Sequence, residues 1–394
     1  MKQVKNISLL LLSALMATSC SNEEVPDTPI NNELVELGVT AGVSLTKSAI
    51  HANTHDDFTS IAVFASGEGY SDENENNAAI YTKSGDSWEN KAEKKIMLSN
   101  EEATIYAIYP AKNSSNTDWT VTDFPTTPTI PVAVFQGNDS GKKTESTITV
   151  PSSTTSTAND TPAEILSAPG EIDYMYGVDG SSTNVSGSNL AKASNKKEGE
   201  PESVVDKSKI ELKMKHALAM VSFRIYNDGT YSGKGQLTEI TLSNVSDKKL
   251  NAGSSSTMNI STGAITEGDG DAAIYTRVIK GQSDAYYTLG KVTSATPSDP
   301  KGKDNIKAAA AKFSILVFPL PTASSVKAST IQVTFKIDGV EHTVPLGTDQ
   351  TDVNFAAGTN SLYTAVLSGK GLSITSVAVA DWGETEVSGD LGVD

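Results

Sequence analysis

A single cysteine among 394 residues excludes any intrachain disulfide, so burial of apolar side chains has to hold this chain together. Cations are few: 31 Lys and Arg stand against 48 Asp and Glu, a net charge of −17. That balance excludes a nucleic-acid face, whose phosphates demand a basic patch, and suits a soluble protein exposed to the outside. No apolar run approaches the ~20 residues a transmembrane helix needs. Amphipathic stretches of helix length are scarce, and nothing recurs at a solenoid or propeller period. The glycine-bearing stretches 177–180 and 268–270 lack the Lys-Ser or Lys-Thr and the following helix of a phosphate loop.

What is present begins at the amino terminus. Lys2 and Lys5 precede an apolar stretch over residues 7–16, the pattern of a secretory signal peptide. Ala17-Thr18-Ser19-Cys20 then resembles the lipobox of bacterial lipoproteins, and Ser21-Asn22-Glu23-Glu24 resembles the acidic export tag of surface lipoproteins in the Bacteroidetes. The resemblance implies that the thiol of Cys20 is acylated and the signal peptide, 1–19, removed. A thiol suits this because its thiolate is a strong nucleophile, and several chains on one anchor hold where one does not. The alternative is that Cys20 merely lies near an ordinary cleavage site.

Elsewhere short alternating segments sit between clusters of Gly, Asn, Asp and Ser, which predicts an all-β chain. Strands are expected at 34–45, 60–65, 80–82, 103–109 and 131–136, then at 210–226, 237–245, 272–279, 313–318, 331–337, 341–346, 361–367 and 372–380. In 331–337, Ile331, Val333, Phe335 and Ile337 share one face and Gln332, Thr334 and Lys336 the other, as a sandwich with one wet face requires. Asp338-Gly339 then signals a tight hairpin. In 372–380, Leu372 and Ile374 alternate in one register and Val377 and Val379 in the other, which predicts a bulge near Thr375-Ser376. Residues 137–161 and 179–208 are poor in apolar anchors and read as long loops or linkers. Length favours two domains, with the boundary in the second of these stretches.

Several phrases together resemble the fimbrillins, pilin-like lipoproteins of type V pili in the Bacteroidetes. They are Leu45-Thr46-Lys47-Ser48-Ala49-Ile50, Ser60-Ile61-Ala62-Val63-Phe64-Ala65, Tyr106-Ala107-Ile108-Tyr109-Pro110 and Ile172-Asp173-Tyr174-Met175-Tyr176-Gly177. Later come His216-Ala217-Leu218-Ala219-Met220-Val221-Ser222-Phe223, Ile315-Leu316-Val317-Phe318-Pro319, Phe355-Ala356-Ala357-Gly358 and Ser376-Val377-Ala378-Val379-Ala380-Asp381-Trp382.

The resemblance implies two tandem transthyretin-like, Greek-key β-sandwich domains, here 48–205 and 206–394, behind a lipidated propeptide, 20–47. It implies a structural subunit without catalysis or cofactor, delivered to the outer membrane on its lipid. There a trypsin-like protease cuts after a basic residue, and other fimbrillin subunits fill the vacated groove by strand addition in an extracellular pilus that supports adhesion. Lys47 falls where the family's cut lies and is the only Lys or Arg between Cys20 and Lys83, so Lys47-Ser48 is the candidate scissile bond. An ordinary surface lysine on an uncut anchor subunit is the alternative. The strand removed would be 34–45, with Leu37, Val39, Ala41 and Val43 on one face. Residues 372–394 are the candidate donor, or equally a strand of their own sheet. A tip or stand-alone adhesin that binds a host glycan or protein is the other functional reading.

Other constellations carry less. His51, His55, Asp56 and Asp57 have ligand chemistry in what reads as a solvated loop, and Asp72, Glu73 and Glu75 lack the spacing and central glycine of a calcium loop, so no metal is expected. His216 and His342 lie in expected strands without a nucleophile pattern, and in so acidic a chain no carboxylate pair stands out as glycosidic. Trp88, Trp119 and Trp382 could stack on sugars, but a place in a core or junction fits an indole better.

Overall fold

The computed structural model describes residues 33–43, 58–70, 77–85, 87–90, 95–112, 129–134, 143–150, 165–168, 171–181, 189–198, 205–244, 250, 256–266, 274–320, 331–346 and 353–381. These form an all-β protein with one short helix, α1 (Lys303–Ala309). The principal strands, in chain order, are β1 (Gly38–Val43), β2 (Ser60–Ser66), β3 (Ala78–Ser84), β4 (Ser87–Glu89), β5 (Ala103–Tyr109), β6 (Lys143–Val150), β7 (Met175–Asp179) and β8 (Lys209–His216). They continue as β9 (Ala219–Asn227), β10 (Gln236–Asn244), β11 (Ile274–Gly281), β12 (Lys312–Val317), β13 (Ile331–Ile337), β14 (Val340–Pro345), β15 (Thr359–Ser368) and β16 (Gly371–Asp381).

Three larger sheets carry the architecture. The first has eight strands in the order β1-β8-β7-β5-β2-β3-β4, with Ala191–Ala193 added on β5. The second has five, Ile165–Leu166 followed by β12-β9-β15-β16. The third has six, β14-β13-β10-β11-β6, with Tyr287–Thr288 paired onto β10.

The second and third sheets sandwich one core, because each presents an apolar face. Ile331, Val333, Phe335 and Ile337 of β13 are buried while Gln332, Thr334 and Lys336 are only half-buried, the expected alternation. Phe335 meets Phe223 of β9 edge-on at 5.6 Å, a favoured aromatic geometry. Every residue of β9 is buried, as befits a strand between two neighbours and under a facing sheet. The first sheet curls around a second core of Leu37, Val39, Ile61, Val63, Ile105 and Met214, among others. From its other face, Ala62, Phe64 and Ile108 join the larger core.

Asp338-Gly339 makes the expected hairpin between β13 and β14, with Ile337 opposite Val340. Both turn residues have positive φ, 51° and 80°, which aspartate tolerates and glycine adopts freely. The Asp338 carboxylate also accepts hydrogen bonds from Tyr231 Oη, Gly235 N and Gln236 N, each at 2.9 Å. Burial alone would raise that carboxyl, but these donors outweigh it and hold it below the usual range. The bulge in β16 is present as well: Thr364 faces Ser376 and Ala365 faces Ile374, which leaves Thr375 over.

The structure corrects five expected segments. The strand expected over 131–136 stands at Thr129–Pro131, and the linker expected over 179–208 holds the short strands Ala191–Ala193, Lys197–Glu198 and Val205–Asp206. The single strand expected over 210–226 is two strands, β8 in the first sheet and β9 in the second. The crossover residues Ala217 and Leu218 are fully buried, and the Ala217 N–H donates to Tyr174 O at 2.8 Å, so no polar turn marks the break. The segment 34–45 divides at Leu37, whose N–H turns to Ile96 O at 2.9 Å; Val35–Glu36 pairs with Met97–Leu98, and β1 pairs elsewhere. The loop expected over 137–161 contains β6, which runs parallel to β11 over its whole length. Its Thr147, Ile148, Thr149 and Val150 are β-branched residues that fit a pleated surface.

The chain also crosses between sheets. After β5 it contributes β6 and Ile165–Leu166 to the third and second sheets, then returns to the first with β7 and β8. Buried polar pairs mark the return. Glu171 and Arg277 of β11 form a fully buried ion pair, and Glu171 also accepts from Leu316 N at 3.3 Å. Two residues on, Asp173 Oδ2 meets His216 Nδ1 at 2.8 Å, both side chains buried.

Candidate functional site

The expected processing features converge on β1 and the groove that holds it. Among the described residues β1 lies at the edge of the first sheet and pairs in parallel with β8 alone, from Gly38 opposite Lys209 to Val43 opposite Met214. Alternation decides what it buries: Leu37 is 1 % and Val39 5 % exposed, Ala41 packs on the same core, and Thr40 and Gly42 face solvent. Burying a leucine and a valine stabilises the docked strand by roughly 3–6 kcal/mol in area terms.

Side chains cover the backbone edge that β8 does not. Tyr81 Oη donates to Leu37 O at 2.8 Å, and Trp88 Nε1 donates to Ala41 O at 2.9 Å. Because Trp88 belongs to β4, at the opposite end of the strand order, this bond draws the curled sheet closed. Trp88 itself is buried against Phe58, ring centroids 5.2 Å apart, so it belongs to the core. Burial, with Glu36 adding to it, pushes the Tyr81 phenol up, so it stays a donor. Upstream, Asn195 Nδ2 donates to Glu33 O at 2.6 Å, and Lys95 pairs with Glu36 at 2.7 Å on the surface.

The other wall starts at a turn before β8. Ser208 N and Oγ donate to Asp206 Oδ1 at 3.1 and 2.5 Å, and Lys209 Nζ lies 3.1 Å from Asp206 Oδ2. The Ser208 hydroxyl first, then Lys209, holds the Asp206 carboxyl down at about 2. This turn presents Ser208 O to the Gly38 N–H at 2.8 Å.

Cys20, Lys47, Ser48, His51, His55, Asp56, Asp57, Asp72, Glu73, Glu75, Trp119, Trp382 and the tail 383–394 lie outside the described residues. Of the candidate donor region, β16 pairs antiparallel with β15 at the edge of the second sheet and leaves Val379 51 % exposed. His342 lies on β14, half-buried. Among the described residues no three His, Cys, Asp or Glu side chains gather as a metal site, and no helix is long and apolar enough to cross a membrane. The roles of Tyr81 and Trp88 in holding β1 have no sign in the sequence, because aromatic residues 44 and 47 positions away carry no local mark of the carbonyls they meet.

A protein assigned to cell adhesion from Bacteroides uniformis matches 89% of this chain and 99% of its own at 17% identity, with a TM-score of 0.50. That likeness is one of fold. A fimbrial protein from Bacteroides vulgatus (12% identity, 88% of this chain and 99% of its own, TM-score 0.47) also aligns. So does the tip fimbrial protein Mfa3 from Porphyromonas gingivalis with C-terminal truncation (10% identity, 88% and 100%, TM-score 0.39). No curated protein matches in sequence. The model of the fimbrillin-like family, however, matches residues 46–382, and this chain therefore belongs to the fimbrillin-like family.

Proposed function

We propose that this chain is a structural subunit of a cell-surface pilus, built by exchange of its first strand. It is exported as a lipoprotein acylated at Cys20 and carried to the outer membrane. A trypsin-like protease cuts between Lys47 and Ser48, which frees β1 from the body of the chain. A neighbouring fimbrillin subunit then supplies a strand to the vacated groove. The role is adhesive and structural rather than catalytic.

The observation that carries this reading is the way β1 is held. Among the described residues it pairs with β8 only and, with Leu37 just before it, contributes spaced apolar anchors, Leu37 and Val39, to a core otherwise built by the body of the fold. An extended segment so placed is replaceable by any strand with the same spacing, since main-chain bonds supply affinity and side-chain pockets supply specificity. One such segment lies in the candidate donor region, where Leu391-Gly392-Val393 repeats Leu37-Gly38-Val39. A head-to-tail contact of this kind does not close on itself and so grows a fibre.

The test is the amino terminus and mass of protein sheared from the cell surface. Ser48 at the terminus is expected, with Cys20→Ala abolishing lipid labelling. A mature terminus other than Ser48 would rule out this cut. Deleting 383–394 should abolish the ladder of high-mass species that survives detergent until boiled; an undiminished ladder removes the tail from the donor role.

A further inference from the structure

Far from β1 in sequence, the bulge in β16 opens a second site. The unmatched Thr375 sits between Ile374 and Ser376, and its Oγ1 donates to Thr364 O at 3.3 Å. Bulges bend a strand and re-aim its side chains. At this place lies a cavity of about 810 Å³, floored by Tyr226, Val366 and Thr375 from three adjoining strands. Its walls are the turn at Asp228, the segment from Lys291 to Pro297, and Lys303 at the start of α1. Ligand clefts run to ~300–1,000 Å³, so two or three sugar rings would fit.

The wall is built rather than draped. Val292 N donates to Asn227 O at 2.9 Å, Thr293 N and Ser294 N to Lys301 O at 3.0 and 3.1 Å, and Asp304 N to Pro297 O at 3.2 Å. Asn305 Nδ2 ties Ser298 O and Asp299 O at 3.0 and 2.9 Å. Gly302 closes the loop so tightly that a Cβ there would stand 2.1 Å from Thr296 O. A site held in this way is preorganised and loses little freedom on binding.

Its chemistry is polar and of mixed donor and acceptor character. Tyr226 is 2 % exposed, and its hydroxyl makes no hydrogen bond among the described residues. Burial first, then the charge of Asp228, pushes that phenol up, so it remains a donor. Thr293, Ser294 and Thr375 add hydroxyls. Lys291 spends one N–H on Tyr231 O at 3.1 Å, and Lys303 has no ion-pair partner among the described residues. The lining thus sets two ammonium groups against the one carboxylate of Asp228, in a chain whose net charge is −17. The apolar part is limited to small aliphatic groups, Val292, Ala295, Pro297 and Val366, too little for a hydrophobic ligand. Hydroxyls that both donate and accept match this set, and a carboxylate matches the lysines.

We propose that this cavity binds an acidic saccharide, with Lys291 and Lys303 on its carboxylate and Tyr226, Asp228 and the Thr/Ser hydroxyls on its ring hydroxyls. The site is independent of strand exchange and is present in the unpolymerised chain. The test titrates the isotope-labelled, unpolymerised protein with 3′-sialyllactose, trigalacturonate and the neutral sugar lactose, read by amide chemical shifts. At least one acidic sugar is expected to shift residues 226–229, 291–297 and 375, and to bind at least about tenfold more tightly than lactose. Lys303→Gln and Lys291→Gln, at exposed positions that leave the fold intact, should each weaken it about tenfold or more, and Tyr226→Phe about two- to tenfold. Absence of binding by both acidic sugars, equal binding of lactose, or affinity indifferent to both lysine variants would overturn the proposal.

Discussion

Leu37→Ala tests whether β1 is anchored by its buried face. Leu37 is 1 % exposed, so truncation removes buried methyl groups and leaves a void, at a cost of about 2–5 kcal/mol. Thr40 is the internal comparison: it is exposed, and Thr40→Ala removes a 3.2 Å bond from its hydroxyl to Ile210 O, worth about 0.5–1.5 kcal/mol. Because β1 is paired on one side only among the described residues, the cost falls on local opening of that strand rather than on global unfolding. A penalty of 2–5 kcal/mol multiplies the opening equilibrium by roughly 30 to several thousand. Hydrogen exchange followed by mass spectrometry on peptides covering 33–43 should therefore accelerate by that factor in Leu37→Ala. Thr40→Ala should accelerate it no more than about tenfold, and peptides of β10 and β13 should hold within about twofold in both. Acceleration below about threefold in Leu37→Ala, or an equal effect of Thr40→Ala, would refute the idea that spaced apolar anchors hold this strand.

Arg277→Ala strands Glu171 in the core and should cost about 3–5 kcal/mol, read as a lowered urea midpoint at unchanged slope. Trp88→Phe keeps the apolar ring but loses the N–H to Ala41 O, worth about 0.5–1.5 kcal/mol; faster exchange at 40–43 with an unchanged urea midpoint is expected. Asp206 should titrate by carbon-detected NMR at about 2, against a usual 3.8. Its folded value is depressed, so its contribution is complete above about pH 4 and drains as pH falls toward 2, with Ser208→Ala moving the midpoint back up. Gly339→Val forces a β-branched residue to a φ of 80° and should cost about 1–2 kcal/mol, read by thermal denaturation.

Where side-chain period and turn chemistry coincide, the fold was legible from the residues alone. Ile331 to Ile337, the Asp338-Gly339 turn and the displaced register around Thr375 each carry a signal within a few neighbouring residues, and each stands where that signal puts it. The alternation of Leu37, Val39 and Ala41 against Gly38, Thr40 and Gly42 likewise predicted which face β1 buries. What was not legible depended on distant partners. β6 is half hydroxyl-bearing and reads as loop, because its place beside β11 is set by pairing across more than a hundred residues. The break at Ala217-Leu218 is apolar on both sides, so the change of sheet leaves no mark in hydropathy. Glu171 and Arg277 lie 106 residues apart and show no sequence sign that they meet. The lysines of the cavity are ordinary surface lysines until the loop folds.

The crossing of β6, Ile165–Leu166, β7 and β8 between sheets has a mechanical consequence. In the pilus proposed above, each subunit is a link in a chain under tension. A force along the strands that reaches β6 acts lengthwise on its ladder with β11, from Lys143 opposite Ile274 to Val150 opposite Gly281. Bonds loaded in that direction give way together rather than one after another. The fold is therefore stitched across its own middle, because one run of chain contributes strands to all three larger sheets.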